Sequence, residues 1–422
     1  MLETLMLAAA LTSPIEQRIV AAVERRNDEG LALLERVVNI NSGTMNLEGV
    51  RRVGDVFRTE LDALGFKTRW IDGAPFKRAG HLIGDHPGSG THILLIGHLD
   101  TVFEADSPFQ KFERLSPTEA RGPGIIDMKG GDVIIIQALK ALKDAGALDQ
   151  MHVTVVMTGD EESVGDPMDV SRQSLREVAK TADVALGFED GAGDPTQAVI
   201  ARRGFTGWTL KVTGKSGHSS QIFTENIGAG AIYEAARILN GFYERLSKEH
   251  LLSFNPGTIL GGTSIEFDAE QSRGTAFGKT NVVAGTALVN GDLRTISHEQ
   301  REMARKTMME VASAHLPQAS AELTFEDSYP PMPPSDGNKR LLAIYDQASR
   351  DLGTGPVTAT DPRFAGAADV AFVADLVTMT IDGIGLMGHD DHSPRETGDL
   401  STLPSQTKRA AIVMYRLTAS SR

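Results

Sequence analysis

Apolar and polar positions follow two different periods along the chain. Val50, Val53, Val56, Phe57, Leu61 and Leu64 recur at helical spacing, and Gly65 suits the C-cap, so this stretch predicts a helix. His92 to Gly97 is instead a short continuous apolar run, the mark of a strand buried on both faces. Gly130 to Ala145 carries Val133, Ile134, Ile136, Leu139 and Leu142 as a helix, and Val153 to Met157 and Ala182 to Phe188 read as two further buried strands. Strand–helix–strand order of this kind predicts an α/β fold with a mostly parallel sheet covered by helices.

The pattern changes near Arg202. Trp208, Leu210 and Val212 alternate with polar residues, which predicts a half-exposed antiparallel strand. A helix over Asn226 to Leu246, a strand over Asn281 to Thr295 and a helix over Glu299 to His315 complete a small inserted α+β domain. The Pro-rich stretch Tyr329 to Pro334 reads as the return linker. Helix/strand alternation resumes at Asn338 and ends in a helix over Pro404 to Leu417. The expected organisation is therefore a main domain of residues 1–201 and 329–422, interrupted by an inserted domain of residues 202–328. No internal repeat or low-complexity tract interrupts this order.

Length agrees with two domains, since 422 residues exceed the ~250–300 at which one core usually stops growing. The chain has 42 Lys+Arg against 56 Asp+Glu, a net charge of −14, which argues against nucleic acid as a partner. No apolar run is long enough for a transmembrane helix. The short stretch Leu5 to Leu11 follows only Glu3, without the positive start of a secretory signal, so it is read as a helix lead-in and the protein as cytoplasmic. The competing reading is a degenerate export signal and a periplasmic protein. Cysteine is absent, which excludes disulfides, thiolate metal sites and a cysteine nucleophile together.

Candidate chemistry gathers where buried strands end, the place at which open parallel sheets bind ligands. Gly97-His98-Leu99-Asp100-Thr101 follows the first apolar strand, and Gly122 to Gly130, containing Asp127, precedes a helix. Asp160-Glu161-Glu162 follows the second strand, Glu189-Asp190 the third, and His389-Asp390-Asp391-His392-Ser393-Pro394 lies near the C-terminus. Each is unremarkable alone: Glu161-Glu162 could be a solvated pair and Asp127 a turn residue. Together, two histidines and three carboxylates form a hard nitrogen and oxygen ligand set suited to two divalent metals. A bridging carboxylate holds such ions ~3.5–4 Å apart, and a carboxylate beside a ligand, as Glu161 is beside Glu162, supplies a general base.

These five ordered motifs resemble those of the co-catalytic zinc exopeptidase family that includes glutamate carboxypeptidase, succinyl-diaminopimelate desuccinylase, carnosinase and the aminoacylases, and the resemblance covers nearly the whole chain. Leu94 to Val102, Phe188-Glu189 and Thr213 to His218 are most similar to glutamate carboxypeptidases. The resemblance implies two Zn²⁺ ions, with Mn²⁺ or Co²⁺ as alternatives. His98 and Glu189 would hold one, Glu162 and His392 the other, and Asp127 would bridge. It implies that Asp100 orients His98, that Glu161 is the general base, and that the peptide bond after Asp127 is cis. The inserted domain would be a lid and dimerisation domain, with His218 stabilising the reaction's oxyanion, often across a homodimer. Asn281, Arg294 and Gly366 would approach the substrate.

Two departures qualify the match. The family's Gly-Gly-x-x-Asp-Ala loop is here Ala365-Gly-Ala-Ala-Asp-Val370, in which only Gly366 and Asp369 align. His389 is a rival to His392, although His392-Ser-x-x-Glu396 has the family spacing. The expected activity is zinc-dependent hydrolysis of a peptide or N-acyl amide bond in a small substrate, as a carboxypeptidase. An N-acyl-amino-acid deacylase or dipeptidase, and a catalytically silent binding protein of the same fold, are the competing readings. A dinucleotide-binding dehydrogenase is disfavoured, because Gly-x-Gly-x-x-Gly does not follow the first strand.

Overall fold

The apolar runs read as buried strands form the centre of a six-stranded sheet in the computed structural model, which describes residues 13–269 and 271–419. Ser89–His98 lies between Met151–Thr158 and Val184–Gly187 and is parallel to both, and Met379–Ile381 extends the parallel set. Gly80–His86 joins Met151–Thr158 antiparallel, and Lys67–Asp72 closes that edge antiparallel. Strands flanked on both faces must be apolar at successive positions, and Ile93, Leu94, Leu95 and Ile96 are all buried. Helices Pro14–Val38, Leu47–Leu64, Gly130–Asp144 and Thr402–Ala419 add Leu34, Phe57, Ile134, Leu139 and Ile412 to the same core. The fold is thus α/β with a mainly parallel central sheet. The stretch Leu5 to Leu11, and the question of export attached to it, lies outside the described residues. Among the described residues, no helix is long and apolar enough to cross a membrane.

A second, antiparallel sheet of short strands carries two of the predicted motifs. Gly388–His389 pairs with Thr397–Asp399, which pairs with Glu119–Arg121. The loop between the first two holds His392, and the segment after the third holds Asp127.

The chain divides into two units that part between Arg202 and Arg203 and between Pro331 and Met332. The sequence reading places these boundaries at 201/202 and 328/329. Arg202 and Met332 exchange both main-chain hydrogen bonds, at 2.9 and 3.0 Å, and Arg202 Nε donates to Asp382 at 2.8 Å, which ties both residues into the first unit.

The unit Arg203–Pro331 is a four-stranded antiparallel sheet in the order Ser253–Gly262, Thr286–Thr295, Gly204–Gly214, Ala319–Asp327. Helices Gly230–Leu246 and His298–Ser313 pack Ile238, Phe242 and Met308 on Trp208, Leu210, Val289 and Leu293. The first of these helices begins later than Asn226, because Gly228 and Gly230 take left-handed φ values of 72° and 79°. The middle strand begins at Thr286 rather than Asn281, because the residues before it pair elsewhere: Val283 N–H donates to Gly217 at 2.9 Å, and Val282 bridges His218.

Candidate metal centre and active site

Asp127 is the hub of a cluster built from five separate segments. Its Oδ1 lies 3.0 Å from His98 Nε2, and its Oδ2 lies 2.9 Å from His392 Nε2. His98 Nε2 is also 3.7 Å from Glu189 Oε1, and His392 Nε2 is 3.2 Å from Glu162 Oε2. Each imidazole therefore faces one oxygen of Asp127 and one further carboxylate. Ligand atoms of His98, Asp127 and Glu162 all lie within 4.8 Å of one another, as do those of Asp127, Asp391 and His392.

Local structure sets these directions. His98 ends the strand Ser89–His98, so its side chain emerges at the carboxyl edge of the sheet. Asp127 sits in an irregular segment: Gly124 has φ 71°, Asp127 has φ −115° and ψ 90°, and the Asp127–Met128 peptide bond is cis. A side chain at Gly124 would collide with Thr101. His392 has a left-handed φ of 55°, an unusual conformation for a non-glycine residue and one that clusters at functional sites. The rival His389 is exposed and turns to Glu119 and Asp390, at 3.9 and 3.5 Å.

Asp100 does more than the resemblance implies. The imidazole Nδ1 of His98 meets the main-chain carbonyl of Asp100 at 3.0 Å, closer than its carboxylate at 3.5 Å. That carboxylate accepts the N–H groups of Glu161 and Glu162, at 3.0 and 3.1 Å, and the Thr44 hydroxyl at 2.6 Å. The carbonyl thus takes the orienting bond to histidine, while the carboxylate fixes the turn that presents the glutamate pair.

The charge balance is that of a cation site. Burial alone would depress His98, yet Glu189, Asp100 and Asp127 raise its pKa well above the ordinary value. Hydrogen bonds to Asp127 and Glu162 push His392 up to about 11. Burial, and then the neighbouring carboxylates, raise Glu161 and Glu189 well above the carboxylate range, and push Glu162 up to about 7. For Asp127 burial acts in the same direction, but the two imidazoles outweigh it and hold the carboxyl low. Four carboxyl groups converge on two imidazoles, and in the absence of a cation their crowding and burial favour holding protons, which a divalent ion would displace. Glu162 Oε1 is buried without a hydrogen-bond partner, although buried polar atoms are almost always paired. A hard nitrogen and oxygen donor set with an orphaned, inward-facing carboxylate oxygen fits divalent metal ions.

Three residues to which the sequence assigns no role at the site support the cluster. Arg202 donates to Asp382 and, through a terminal nitrogen, to the Gly366 carbonyl at 2.7 Å. Asp382 in turn accepts the Glu189 N–H at 3.3 Å. Glu396, noted in the sequence only for its spacing from His392, accepts N–H groups from the Asp127 segment. Their signal in sequence is weak, because an Arg, Asp or Glu at a strand end reads equally well as surface.

His218, Asn281 and Arg294 belong to the second unit. The bridge between His218 and Val282 sets His218 beside Asn281, whose carbonyl accepts the Ser219 N–H at 2.9 Å. The N–H of Ser220 donates to His218 Nδ1 at 3.3 Å, so in the neutral ring Nε2 carries the proton and is the donor. Arg294 lies over the Phe205 ring at 4.5 Å, and its Nε donates to Asp292 at 3.0 Å. Gly366 is exposed, and a side chain there would meet no atom within 4 Å.

Residues 94–417 match Peptidase family M20/M25/M40. The chain is 30% identical over 399 residues to Carboxypeptidase G2 of Pseudomonas sp. (strain RS-16), covering 92% of this chain and 88% of that protein. It is 24% identical over 339 residues to succinyl-diaminopimelate desuccinylase of Bradyrhizobium sp. (strain ORS 278), covering 76% and 81%. Among solved structures, aminopeptidase PepT from Bacillus cereus ATCC 10987 superposes with a TM-score of 0.72 at 17% identity, covering 93% of this chain and 98% of that one. A dinuclear metal binding peptidase of the M20 family from Bacillus subtilis gives 0.64 at 16% identity, covering 94% and 99%. The chain belongs to Peptidase family M20/M25/M40 and is a metallopeptidase-class hydrolase. The family resemblance drawn from the motifs therefore holds.

Proposed function

We propose that this protein is a dinuclear, zinc-dependent exopeptidase that releases a C-terminal amino acid from a small peptide or N-acyl amino acid. One observation carries the reading: the two oxygens of Asp127 face two different imidazoles, each accompanied by its own glutamate. His98 and Glu189 would hold one ion, His392 and Glu162 the other, with Asp127 common to both. Bound there, the ions supply Lewis acidity that polarises a carbonyl and acidifies water.

The remaining chemistry falls to side chains of this chain. Glu161 takes a proton from the attacking water and returns it to the leaving nitrogen, the double transfer suited to a carboxylate that lies beside a metal ligand and holds no ion itself. Asp100 fixes the turn that presents Glu161 and Glu162 by accepting both of their N–H groups. His218 offers Nε2–H to the oxyanion, and a positioned donor of that kind is worth on the order of 10²–10³ in rate. We assign His218 to the active site of the partner in a homodimer formed through the unit Arg203–Pro331. Arg294 binds the free α-carboxylate of the substrate, while Asn281 and Gly366 contact its remainder.

The carboxypeptidase label rests on Arg294 and on the likeness to Carboxypeptidase G2. Acetylornithine deacetylase of Pasteurella multocida (strain Pm70), 29% identical over 219 residues, keeps N-deacylation as the second reading. The test is a panel of dipeptides, N-acyl amino acids and their C-terminal amides, run on protein stripped by chelation and then reloaded with Zn²⁺, Mn²⁺ or Co²⁺. Hydrolysis of free-acid substrates that is lost on stripping and restored by Zn²⁺ is expected. Full activity of a metal-free protein would sink the reading, and so would a metal-loaded protein that cleaves nothing on the panel.

A further inference from the structure

The segment that carries Asp127 is wound on a single residue. Glu396 is fully buried, and its Oε2 accepts the Gly124 N–H at 2.9 Å. Its Oε1 accepts the N–H groups of Ile126 and Asp127, at 2.9 and 3.2 Å. Its main-chain carbonyl accepts the Gly122 N–H at 3.3 Å. The residues from Gly122 to Asp127 lie between a strand and a helix, so no sheet ladder serves these donors, and buried N–H groups need partners.

The chemistry at position 396 is specific. Three donors reach both arms of one terminal group, and only a carboxyl group offers acceptors on both arms; an amide would set its NH₂ against an N–H. Glu396 also sits on the hairpin that presents His392, next to Thr397, which pairs in register with Arg121. One residue therefore joins the loop of one imidazole to the segment of the shared carboxylate.

We propose that Glu396 is a positioning residue that aims both oxygens of Asp127 and so sets the affinity of both ion positions together. This rests on the dinuclear reading above. Glu162 and Glu189 differ from it in kind, since each meets one imidazole and so serves one position.

The test is calorimetric titration of Zn²⁺ into metal-free wild type, Glu396→Gln and Glu162→Gln, with fold checked by circular dichroism and Tm. Wild type should take up two ions. In Glu396→Gln both affinities should fall, by about 10–100-fold as is usual for groups that support ligands. In Glu162→Gln one affinity should fall far more than the other. A Glu396→Gln protein that binds both ions as wild type does, even with a lower Tm, overturns the proposal, as does a loss confined to one ion. A wild type that takes up no ion sinks the dinuclear reading itself, and this inference with it. If Glu396→Gln does not fold, hydrogen exchange on metal-free wild type decides. Slow exchange at Gly124, Ile126 and Asp127 supports the proposal, and exchange at open-loop rates overturns it.

Discussion

Arg172 holds Asp160 by both its side chain and its main chain: one terminal nitrogen donates to Oδ1 at 2.5 Å, the other to the carbonyl at 3.1 Å. Its Nε donates to Asp369 at 2.7 Å, and the Thr158 hydroxyl donates to the same carboxylate at 2.6 Å. The residue before Glu161 is thereby locked to the loop that contains Gly366, through a guanidinium that is itself buried.

Removing that guanidinium strands two buried carboxylates. Arg172→Met should destabilise the fold by about 3–5 kcal/mol, the usual cost of leaving a buried charge unpaired. Denaturant unfolding at neutral pH measures it. Burial alone would raise the Asp160 carboxyl, but Arg172, His81, the Ser171 hydroxyl and the Gly165 N–H hold it below the ordinary aspartate value. A carboxyl depressed by folding contributes stability that is complete above its unfolded pKa of about 3.9 and is lost as pH falls through the lower folded value. The gap between wild type and variant should therefore be full above about pH 5 and narrow in acid below about 3.9. A gap that widens in acid would contradict this assignment.

The glutamate pair should separate cleanly. Glu161→Gln should keep its metal and lose on the order of 10²–10⁴ in kcat, because a base moves protons and holds no ion. Glu162→Gln should instead lose metal, since its carboxylate faces His392 across 3.2 Å. Elemental analysis beside kcat distinguishes them, and the opposite pattern would exchange their roles.

His218 provides a test of the proposed dimer. A two-fold contact gives both sites the same complement, so His218→Ala and Glu161→Gln proteins should each be nearly inactive alone. Mixed under conditions of subunit exchange, they should regain activity, because one composite site in each hybrid is intact. Exchange demonstrated by mass, without recovery, would remove His218 from the partner's site.

Arg294 separates release of a C-terminal residue from simple deacylation. A guanidinium–carboxylate bond is worth roughly 1.5–3 kcal/mol, or about 10–150-fold in kcat/KM. Free-acid substrates should exceed their C-terminal amides by that factor, and Arg294→Ala should erase the difference by slowing only the acids. Equal cleavage of both by the wild type would leave the carboxypeptidase reading without its anchor.

The chain's local pattern was sufficient for what is repetitive or chemically distinctive. Three of the four parallel strands were legible because strands buried on both faces, such as Ile93 to Ile96, must be continuously apolar, while the three-residue strand Met379–Ile381 is too short to show a pattern. The edge strand Lys67–Asp72 was not, since an edge tolerates polar residues and loses its period, nor was Gly80–His86, an internal strand whose run is broken by two glycines, two histidines and an aspartate. The helix Pro14–Val38 also escaped the reading, although Ser13 and Glu16 form its capping box. Metal-ligand types at strand ends were legible as chemistry, because histidine and carboxylate side chains are few and their order along the chain is distinctive. Tertiary structure alone decided which imidazole meets which oxygen and that Asp100 serves the glutamate turn, and it agrees with the spacing-based preference for His392 over His389. It alone also placed Arg172, Arg202, Asp382 and Glu396 as supports. The reason is physical. Such residues act through pairings between segments far apart in the chain, and a carboxylate or guanidinium carries no mark in sequence of the partner that folding will bring to it.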